Sequence, residues 1–231
     1  MSASTRRLIV HEEIKSPISE AYRTLRTNLQ FSKSQGKLKT IMFTSAGPGE
    51  GKSTTVANTA VALAQSGKKV ILMDCDLRKP VQHKIFGKKN RGLTNILVEE
   101  VKIEEFLQKT EIENLRILTG GPIPPNPSEL LGSSKMQEIL DYLKSQADYL
   151  IIDVPPVVAV TDACVLAAKV DGIALVVNFG AIRPEMAQKA KNLLLKANGH
   201  VLGVIINRVE IEEEDSYYYY YYGSDNQKMA K

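Results

Sequence analysis

The sequence predicts an α/β fold with a mostly parallel central sheet and helices on both of its faces. Three observations support this prediction: short apolar runs bounded by turn residues, helical periods between several of these runs, and a glycine-rich loop that joins the first run to a helix. Alternating strands and helices are typical of parallel strands connected by crossover helices. The predicted strands are 40–45, 69–73, 115–118, 149–154, 172–178 and 201–207, and the clearest helices are 133–146 and 184–198.

Length and composition limit the kind of protein this can be. A chain of 231 residues suits one domain with a substantial core. The net charge of +4 is mild and no long basic run occurs, which argues against nucleic acid as a partner. Cys75 and Cys164 have no metal-like spacing, and without a signal peptide they indicate a reducing cytosol. Because the apolar runs are too short to cross a bilayer, we expect any membrane attachment to come through a partner.

The chain divides into three segments. Residues 1–16 are expected to form a flexible N-terminal arm, residues 17–209 the folded domain, and residues 210–231 a flexible tail. The tail begins with an acidic stretch and continues with six consecutive tyrosines, a composition that suits no packed element.

The folded domain is predicted to open with a helix. Ser16 followed by Pro17 is typical of a helix start, and the helical period continues to about Phe31. We expect its apolar stripe to consist of Ile18, Tyr22, Leu25 and Leu29.

The glycine-rich loop fits the Walker A phosphate-binding pattern, with Ala46 in place of the first glycine. The loop follows a strand and opens a helix, which is the context that the motif requires. We expect Lys52 to reach the β- and γ-phosphates of ATP and Ser53 to bind Mg²⁺; the alternative is a glycine-rich turn that happens to carry Lys-Ser. The expected nucleotide-binding residues are Gly47, Pro48, Gly49, Glu50, Gly51, Lys52, Ser53 and Thr54.

Three carboxylates end predicted strands. Asp74 and Asp76 end the second strand, and Asp153 ends the fourth. Since ligands of open parallel sheets bind at the carboxyl ends of the strands, all three should converge near the phosphate loop. There they could bind magnesium or accept a proton from an attacking hydroxyl. The alternative is that strand-end acids merely cap the segments that follow them.

Together these motifs resemble the bacterial tyrosine kinases, and more closely the separate cytosolic kinase chain of Gram-positive capsular or exopolysaccharide systems. The resemblance rests on the Walker A loop, DCDLRKP at 74–80, IDVPP at 152–156, GGPIPPNPSEL at 120–130 and the tyrosine-rich tail. It covers nearly the whole chain from about Ser16. It implies a P-loop NTPase fold, ATP and Mg²⁺ as cofactors, and protein-tyrosine kinase activity.

The resemblance also implies individual roles. Lys52, Asp74, Asp76 and Asp153 would be the catalytic residues, with Asp74 as the base for the tyrosine hydroxyl. Ser53, Asp76 and Asp153 would form the metal site. Asn207 and Arg208, at the end of the last strand, would contact adenine. Val154 stands where many relatives are expected to have Thr.

Further expectations concern substrates and partners. The phosphoacceptors would be Tyr217, Tyr218, Tyr219, Tyr220, Tyr221 and Tyr222, modified by a neighbouring protomer. Glu20, Arg23 and Arg26 match the family's oligomerisation motif and imply a ring, an octamer by resemblance; the alternative is a solvated helix face. A transmembrane activator would bind through its cytosolic segment and recruit the chain to the inner face of the membrane. A tyrosine phosphatase and protein substrates would be further partners.

Two other functions remain open. A positioning ATPase of the septum-site or partition kind shares the fold, but such proteins carry a signature lysine where this chain has Gly47. A nucleotide sensor without enzymatic activity needs no candidate base. Histidines 11, 83 and 200 are expected to be structural or at the surface. Arg78 and Lys79 are expected to be solvated charges rather than catalytic groups; the alternative for Arg78 is a position near phosphate.

Overall fold

The computed structural model describes residues 8–32 and 38–210. Within these ranges seven strands form one sheet. The strands are β1 (Thr40–Ser45), β2 (Val70–Asp74), β3 (Gln108–Lys109), β4 (Leu115–Leu118), β5 (Tyr149–Asp153), β6 (Gly172–Asn178) and β7 (Val201–Asn207).

The strand order is β3-β4-β2-β5-β1-β6-β7, and every pairing is parallel except that of β3 with β4. The short antiparallel edge strand β3 was not predicted from the sequence. The strand that precedes the glycine-rich loop, β1, lies between β5 and β6, and β5 also pairs with β2. The carboxyl ends of the parallel strands β1, β2 and β5 therefore lie side by side at the same end of the sheet, as predicted.

Helices cover both faces of the sheet, which confirms the predicted fold class. They are α1 (Ile9–Glu12), α2 (Pro17–Phe31), α3 (Lys52–Gln65), α4 (Gln82–Ile85), α5 (Leu93–Val98), α6 (Pro127–Gly132), α7 (Ser134–Gln146), α8 (Asp162–Ala167) and α9 (Pro184–Lys196), with a 3₁₀ turn at Ile103–Phe106.

Two apolar cores lie on opposite faces of the sheet. Phe43 and Leu72 face the core that α3 shares with α1 and α2. Met42 and Met73 face the core formed with α5, α7, α8 and α9. Because β1, β2 and β5 are buried on both faces, their sequences are nearly continuous apolar runs, and this is why they could be predicted.

The segment 8–16 differs from the expected flexible arm. Its short helix α1 packs on α3, and Val10 is fully buried. The Val10 N–H donates to Asn58 Oδ1 at 3.1 Å. Burial of Val10 and this hydrogen bond hold the segment against the domain, so the predicted boundary at residue 16 is wrong for residues 8–16.

The buried stripe of α2 also differs from the prediction at one position. Ile18 is 48% exposed, whereas the neighbouring Ser19 is fully buried. Ser19 Oγ lies 3.1 Å from the carbonyl oxygen of Ile9 and 2.7 Å from that of Glu13. A hydroxyl that bonds the backbone of the preceding segment therefore takes the place expected for an apolar side chain.

Among the described residues, no helix has both the length and the apolar character needed to span a membrane.

Candidate active site

The phosphate loop follows β1 and ends at Gly51, and Lys52 and Ser53 are the first residues of α3. Gly49 and Gly51 have φ values of +78° and +82°, which glycine adopts readily and other residues rarely do. Gly51 is the N-cap of α3, so the free N–H groups of the first helical turn point toward the loop. A Cβ at Gly51 would lie 2.0 Å from Asn207 Nδ2. Both backbone conformation and space therefore require glycine at position 51.

Glu50 fastens the phosphate loop to the sheet. Its side chain is 5% exposed, and Oε1 accepts the N–H of Gly47. The other oxygen, Oε2, accepts the N–H of Asn178 at the end of β6, at 3.1 Å. The motif predicted this residue as part of the loop, but not that it connects the loop to β6.

Asn207 holds the loop from the other side. Its Nδ2 donates to the Glu50 carbonyl oxygen at 2.9 Å. The next residue, Arg208, has a φ of +60° and turns the chain after β7. The adenine contacts expected of these two residues stay a proposal, whereas the contact of Asn207 with the loop backbone is direct.

A buried ion pair joins Lys52 to Asp153 below the loop. The two side chains are 7% and 0% exposed. Lys52 Nζ also lies 3.2 Å from Ser53 Oγ and 3.8 Å from Asp76 Oδ2. The structure thus brings together the predicted lysine, the predicted serine and two of the three predicted acids.

Asp76 is the acid that borders open space. With the phosphate loop it lines a cleft of about 180 Å³. Its Oδ1 accepts the N–H of Lys79 at 3.0 Å. Burial raises the pKa of Asp76, and the charge of Lys52 opposes this increase.

Asp74 is fully buried and does not line that cleft. Its Oδ1 accepts the N–H of Asp76 at 3.1 Å, and its Oδ2 accepts those of Val81 and Gln82 at 2.9 Å each. Burial, followed by the nearby charge of Asp153, raises the pKa of Asp74 to about 7. Because β2 ends at Asp74, Asp76 lies in the loop that follows the strand. In this conformation Asp74 organises the loop after β2.

Gln82 is a buried polar residue that the sequence analysis missed. Its Nε2 donates to Asp153 Oδ2 at 2.7 Å and to the Ser53 carbonyl oxygen at 3.0 Å. It begins α4, only a few residues after the acidic motif, but a lone glutamine there carries no recognisable sequence signal. Only the fold shows that it lies among the catalytic candidates.

Arg78 is exposed, as predicted, but it is also paired with a buried carboxylate that the sequence analysis did not identify. Its Nε and Nη2 each lie 2.9 Å from a different oxygen of Asp162, a fully buried carboxylate at the start of α8. Ser128 in α6 also bonds Asp162. This bidentate pair connects the loop after β2 to the proline-rich segment 120–130 and to α8.

The predicted oligomerisation residues lie on α2, outside the phosphate site. Arg23 Nη1 forms an ion pair with Glu20 Oε2 at 2.6 Å. Arg26 lies partly buried, with Nη1 3.4 Å from the Ala62 carbonyl oxygen of α3. Arg23 Nη2 also donates to the Ile14 carbonyl oxygen, so both arginines contact their own domain.

The residues around the cleft fit a magnesium nucleotide. No group of three His, Cys, Asp or Glu side chains in the described ranges could hold a metal alone. Magnesium bound with nucleotide phosphates needs only one or two protein carboxylates and a hydroxyl, however. Ser53, Asp76 and Asp153 supply these groups within reach of Lys52. The predicted phosphoacceptors, Tyr217 to Tyr222, lie outside the described residues.

Fold and site together define a P-loop nucleotide-binding protein: a glycine cradle, a lysine, and carboxylates at the ends of the adjacent strands. The AAA domain family model matches residues 38–181.

Proteins of similar sequence show more closely which kind of P-loop protein this is. The tyrosine-protein kinase YwqD of Bacillus subtilis is 46% identical over 207 residues, which are 89% of this chain and 87% of that protein. The putative tyrosine-protein kinase CapB of Staphylococcus aureus is 43% identical over 89% of this chain and 91% of its own. The putative tyrosine-protein kinase EpsB of Ralstonia nicotianae is 38% identical over 84% of this chain, but over only 26% of its own longer chain.

Solved structures agree with this. The chimerical protein CapA2B2 superposes with a TM-score of 0.85 at 42% identity and covers 91% of this chain and 92% of its own. The septum site-determining protein MinD of Pyrococcus horikoshii reaches 0.64 at 28% identity, over 78% of this chain and 76% of its own. The chain belongs to the family of bacterial tyrosine-protein kinases, which confirms the resemblance found in its motifs.

Proposed function

We propose that this chain transfers the γ-phosphate of ATP to tyrosines in the tail of a neighbouring protomer and thereby regulates capsule or exopolysaccharide synthesis and export. The observation that carries the proposal is the site where Lys52, Asp76 and Asp153 meet below the phosphate loop. Six consecutive tyrosines in the same chain supply acceptors.

Lys52 would change partners when the nucleotide binds. In the structure it is paired with Asp153. Phosphate oxygens in the loop would take over Lys52 and release Asp153 Oδ1. Asp153, Ser53 and Asp76 could then hold Mg²⁺, which supplies positive charge where negative charge develops during transfer.

A carboxylate would accept the proton of the tyrosine hydroxyl. The phenolic oxygen forms a bond to the γ-phosphorus, the bond to the β-γ bridging oxygen breaks, ADP leaves, and the proton passes to the base. We propose Asp74 as this base, and its pKa near 7 suits the role. Because both its oxygens hold backbone N–H groups, Asp74 would have to give up at least one of them. Asp76, which lines the cleft, is the alternative.

Tail phosphorylation would limit itself. Each phosphate adds close to two negative charges. Adjacent phosphotyrosines would repel one another and the acidic stretch at 210–215. Accumulated phosphate would therefore weaken docking in a neighbour's site and loosen a ring-like oligomer, an octamer in our proposal. A tyrosine phosphatase would reverse this state.

An activator segment is the second part of the proposal. EpsB carries the matching region inside a longer chain, and the name of the CapA2B2 chimera joins a CapA part to a CapB part. Both support a kinase that works with further sequence. Here a separate transmembrane protein would supply it through a cytosolic segment and bring the kinase to the inner face of the membrane. Other proteins could then be substrates.

The main alternative is a positioning ATPase, which shares the fold. The fit to MinD is weaker than the fit to the CapA2B2 chimera, with TM-scores of 0.64 and 0.85. Gly47 also stands where such ATPases are expected to carry a lysine. No observation in the described site favours this alternative.

Two measurements test the proposal. Mass spectrometry after incubation with Mg-ATP should find phosphate mainly between Tyr217 and Tyr222; phosphate confined to Tyr22, Tyr142 or Tyr149 would contradict it. Mixing a Lys52→Met chain with an active chain that lacks residues 211–231 should label the tail of the inactive chain. Absence of that label would mean that transfer occurs within one subunit.

A further inference from the structure

Gln82 connects three parts of the site. Its side-chain nitrogen bonds Asp153 at the end of β5 and the Ser53 carbonyl at the start of α3, at 2.7 and 3.0 Å. Its backbone N–H bonds Asp74 Oδ2 at the end of β2, at 2.9 Å. Because the side-chain nitrogen meets two acceptors, the orientation of the amide is fixed: Nε2 faces Asp153 and Ser53, and Oε1 faces away from them.

The amide oxygen of Gln82 has no partner. Gln82 is fully buried, and Oε1 finds no hydrogen-bond donor among the described residues. An unpaired buried oxygen is costly and rare in native proteins, so it calls for an explanation. The two hydrogen bonds of Nε2, one of them to the Asp153 carboxylate, offset this cost.

Gln82 also controls how Asp153 can act. Asp153 Oδ1 is paired with Lys52, and Oδ2 is bonded by Gln82. When phosphate takes Lys52, Oδ1 becomes available while Oδ2 stays held. Gln82 would thus leave Asp153 one oxygen to offer to a metal ion. Mutation of residues that orient metal-binding carboxylates in this way typically lowers metal affinity about 10- to 100-fold.

We propose that Gln82 is a positioning residue of the magnesium site. Its Nε2 fixes Asp153 Oδ2 and the backbone of Ser53, so that only Oδ1 of Asp153 remains to be offered to the magnesium ion bound with the nucleotide. The inference rests on the proposed function for the identity of the metal nucleotide, but not on the choice of phosphoacceptor.

The experiment compares ADP binding with Mg²⁺ and with EDTA, by calorimetry on the full chain. The measured quantity is the ratio of the two dissociation constants, which isolates the contribution of magnesium. The Gln82→Met variant keeps the length of the side chain and removes both hydrogen-bonding groups. We expect this ratio to fall by about tenfold or more, while ADP binding in EDTA stays close to wild type. The matched control is Gln188→Met on α9, where the glutamine is exposed and bonds Asn192 at 3.0 Å; its ratio should not change.

Several outcomes overturn the proposal. These are an unchanged ratio in Gln82→Met, an equal loss of binding in Mg²⁺ and EDTA, or a wild-type chain whose ADP binding does not respond to Mg²⁺. If circular dichroism shows that Gln82→Met does not fold, Gln82→Asn decides. Its shorter amide cannot reach both acceptors, so a wild-type ratio there rejects the proposal. This binding measurement does not depend on phosphate transfer. If the wild-type chain shows the magnesium effect but its tail is not labelled with phosphate, the proposed function is wrong and the role of Gln82 still stands.

Discussion

Lys52 and Asp153 neutralise each other in a site where water has almost no access. Replacing Lys52 by Met removes the charge that would hold the β- and γ-phosphates. We expect tail phosphorylation to fall at least about 100-fold. The variant also leaves the Asp153 carboxylate buried without its ion-pair partner, which should lower the free energy of unfolding by about 3 kcal/mol.

The double variant Lys52→Met, Asp153→Asn should recover part of that stability but none of the activity. Urea unfolding and a phosphorylation assay measure the two effects. Lys189→Met, on the exposed side of α9, is the control. Equal stability of wild type and Lys52→Met would contradict a structural role for the ion pair.

We expect substitutions of Asp74 and Asp76 to impair different steps, phosphate transfer and magnesium-dependent binding. If Asp74 is the base, Asp74→Asn should reduce phosphate transfer by about 100-fold or more and spare binding of Mg-ATP. Asp76→Asn should weaken magnesium-dependent binding as well, because Asp76 lines the cleft beside Lys52. Calorimetry and kinase assays on both variants decide, and the reverse pattern would assign the base to Asp76. Equal loss of binding and transfer in Asp74→Asn would make Asp74 part of the metal site.

Gly51 and Gly67 form a matched pair for testing the phosphate loop. Both have left-handed backbones, with φ of +82° and +80°. A Cβ at Gly51 meets Asn207 at 2.0 Å, whereas no atom of residues 8–32 and 38–210 lies within 4 Å of one at Gly67. We expect Ala at either position to cost about 1 kcal/mol of stability through backbone strain. Only Gly51→Ala should also lower nucleotide affinity, by about tenfold or more, in a binding titration; equal affinity of the two variants would refute the role of this contact.

The stability of the sheet should depend on pH through Asp171. Its Oδ2 accepts the N–H groups of Lys39 and Thr40, at 2.9 and 2.8 Å, and its Oδ1 pairs with Lys144. Burial would raise the pKa of this carboxyl, but these hydrogen bonds outweigh burial and lower it.

A group with a lowered folded-state pKa stabilises the protein above its unfolded pKa and loses this effect as pH falls through the folded pKa. Asp171→Asn should therefore lower the free energy of unfolding by about 1–2 kcal/mol at pH 7. The difference from wild type should shrink toward zero below about pH 4. Urea unfolding across this range measures it, with the exposed Asp141→Asn as control. A constant difference between pH 7 and pH 3 would argue against this mechanism.

The oligomer is tested on α2. If Glu20, Arg23 and Arg26 join protomers, the triple alanine variant should have a lower mass than wild type in light scattering. Because Arg26 contacts Ala62 of its own domain, the Arg26→Ala single variant should also lower stability slightly, whereas Glu20→Ala should not. An unchanged mass, for a wild type that is itself oligomeric, would remove these residues from the interface.

The elements that the sequence predicted well are those with a strong local signal. The central strands are buried on both faces and show as apolar runs, and the glycines at 49 and 51 are required by φ. The prediction failed where a tertiary contact decides. Val10 is buried because α3 is there, and Ser19 is buried because its hydroxyl finds the carbonyls of a preceding segment.

Within the site, too, residues with a local sequence signal were predicted and residues placed by tertiary contacts were not. The lysine, the serine and the acids follow from motif and strand position. Gln82 and the partner of Arg78 do not, since both depend on residues distant in sequence: 71 positions separate Gln82 from Asp153, and 84 separate Arg78 from Asp162. A residue that contacts other side chains rather than the ligand is not part of a recognisable local sequence motif.

The contact between Asn207 and the phosphate loop sets a length limit for the proposed transfer between protomers. Tyr217 and Tyr222 follow Asn207 by ten and fifteen positions. A fully extended chain covers at most roughly 35 Å over ten residues and roughly 50 Å over fifteen. Each tail thus starts at its own nucleotide cradle, and a recipient cradle farther away than this span is out of range. Any arrangement of protomers that supports exchange of phosphate must place adjacent cradles within that radius.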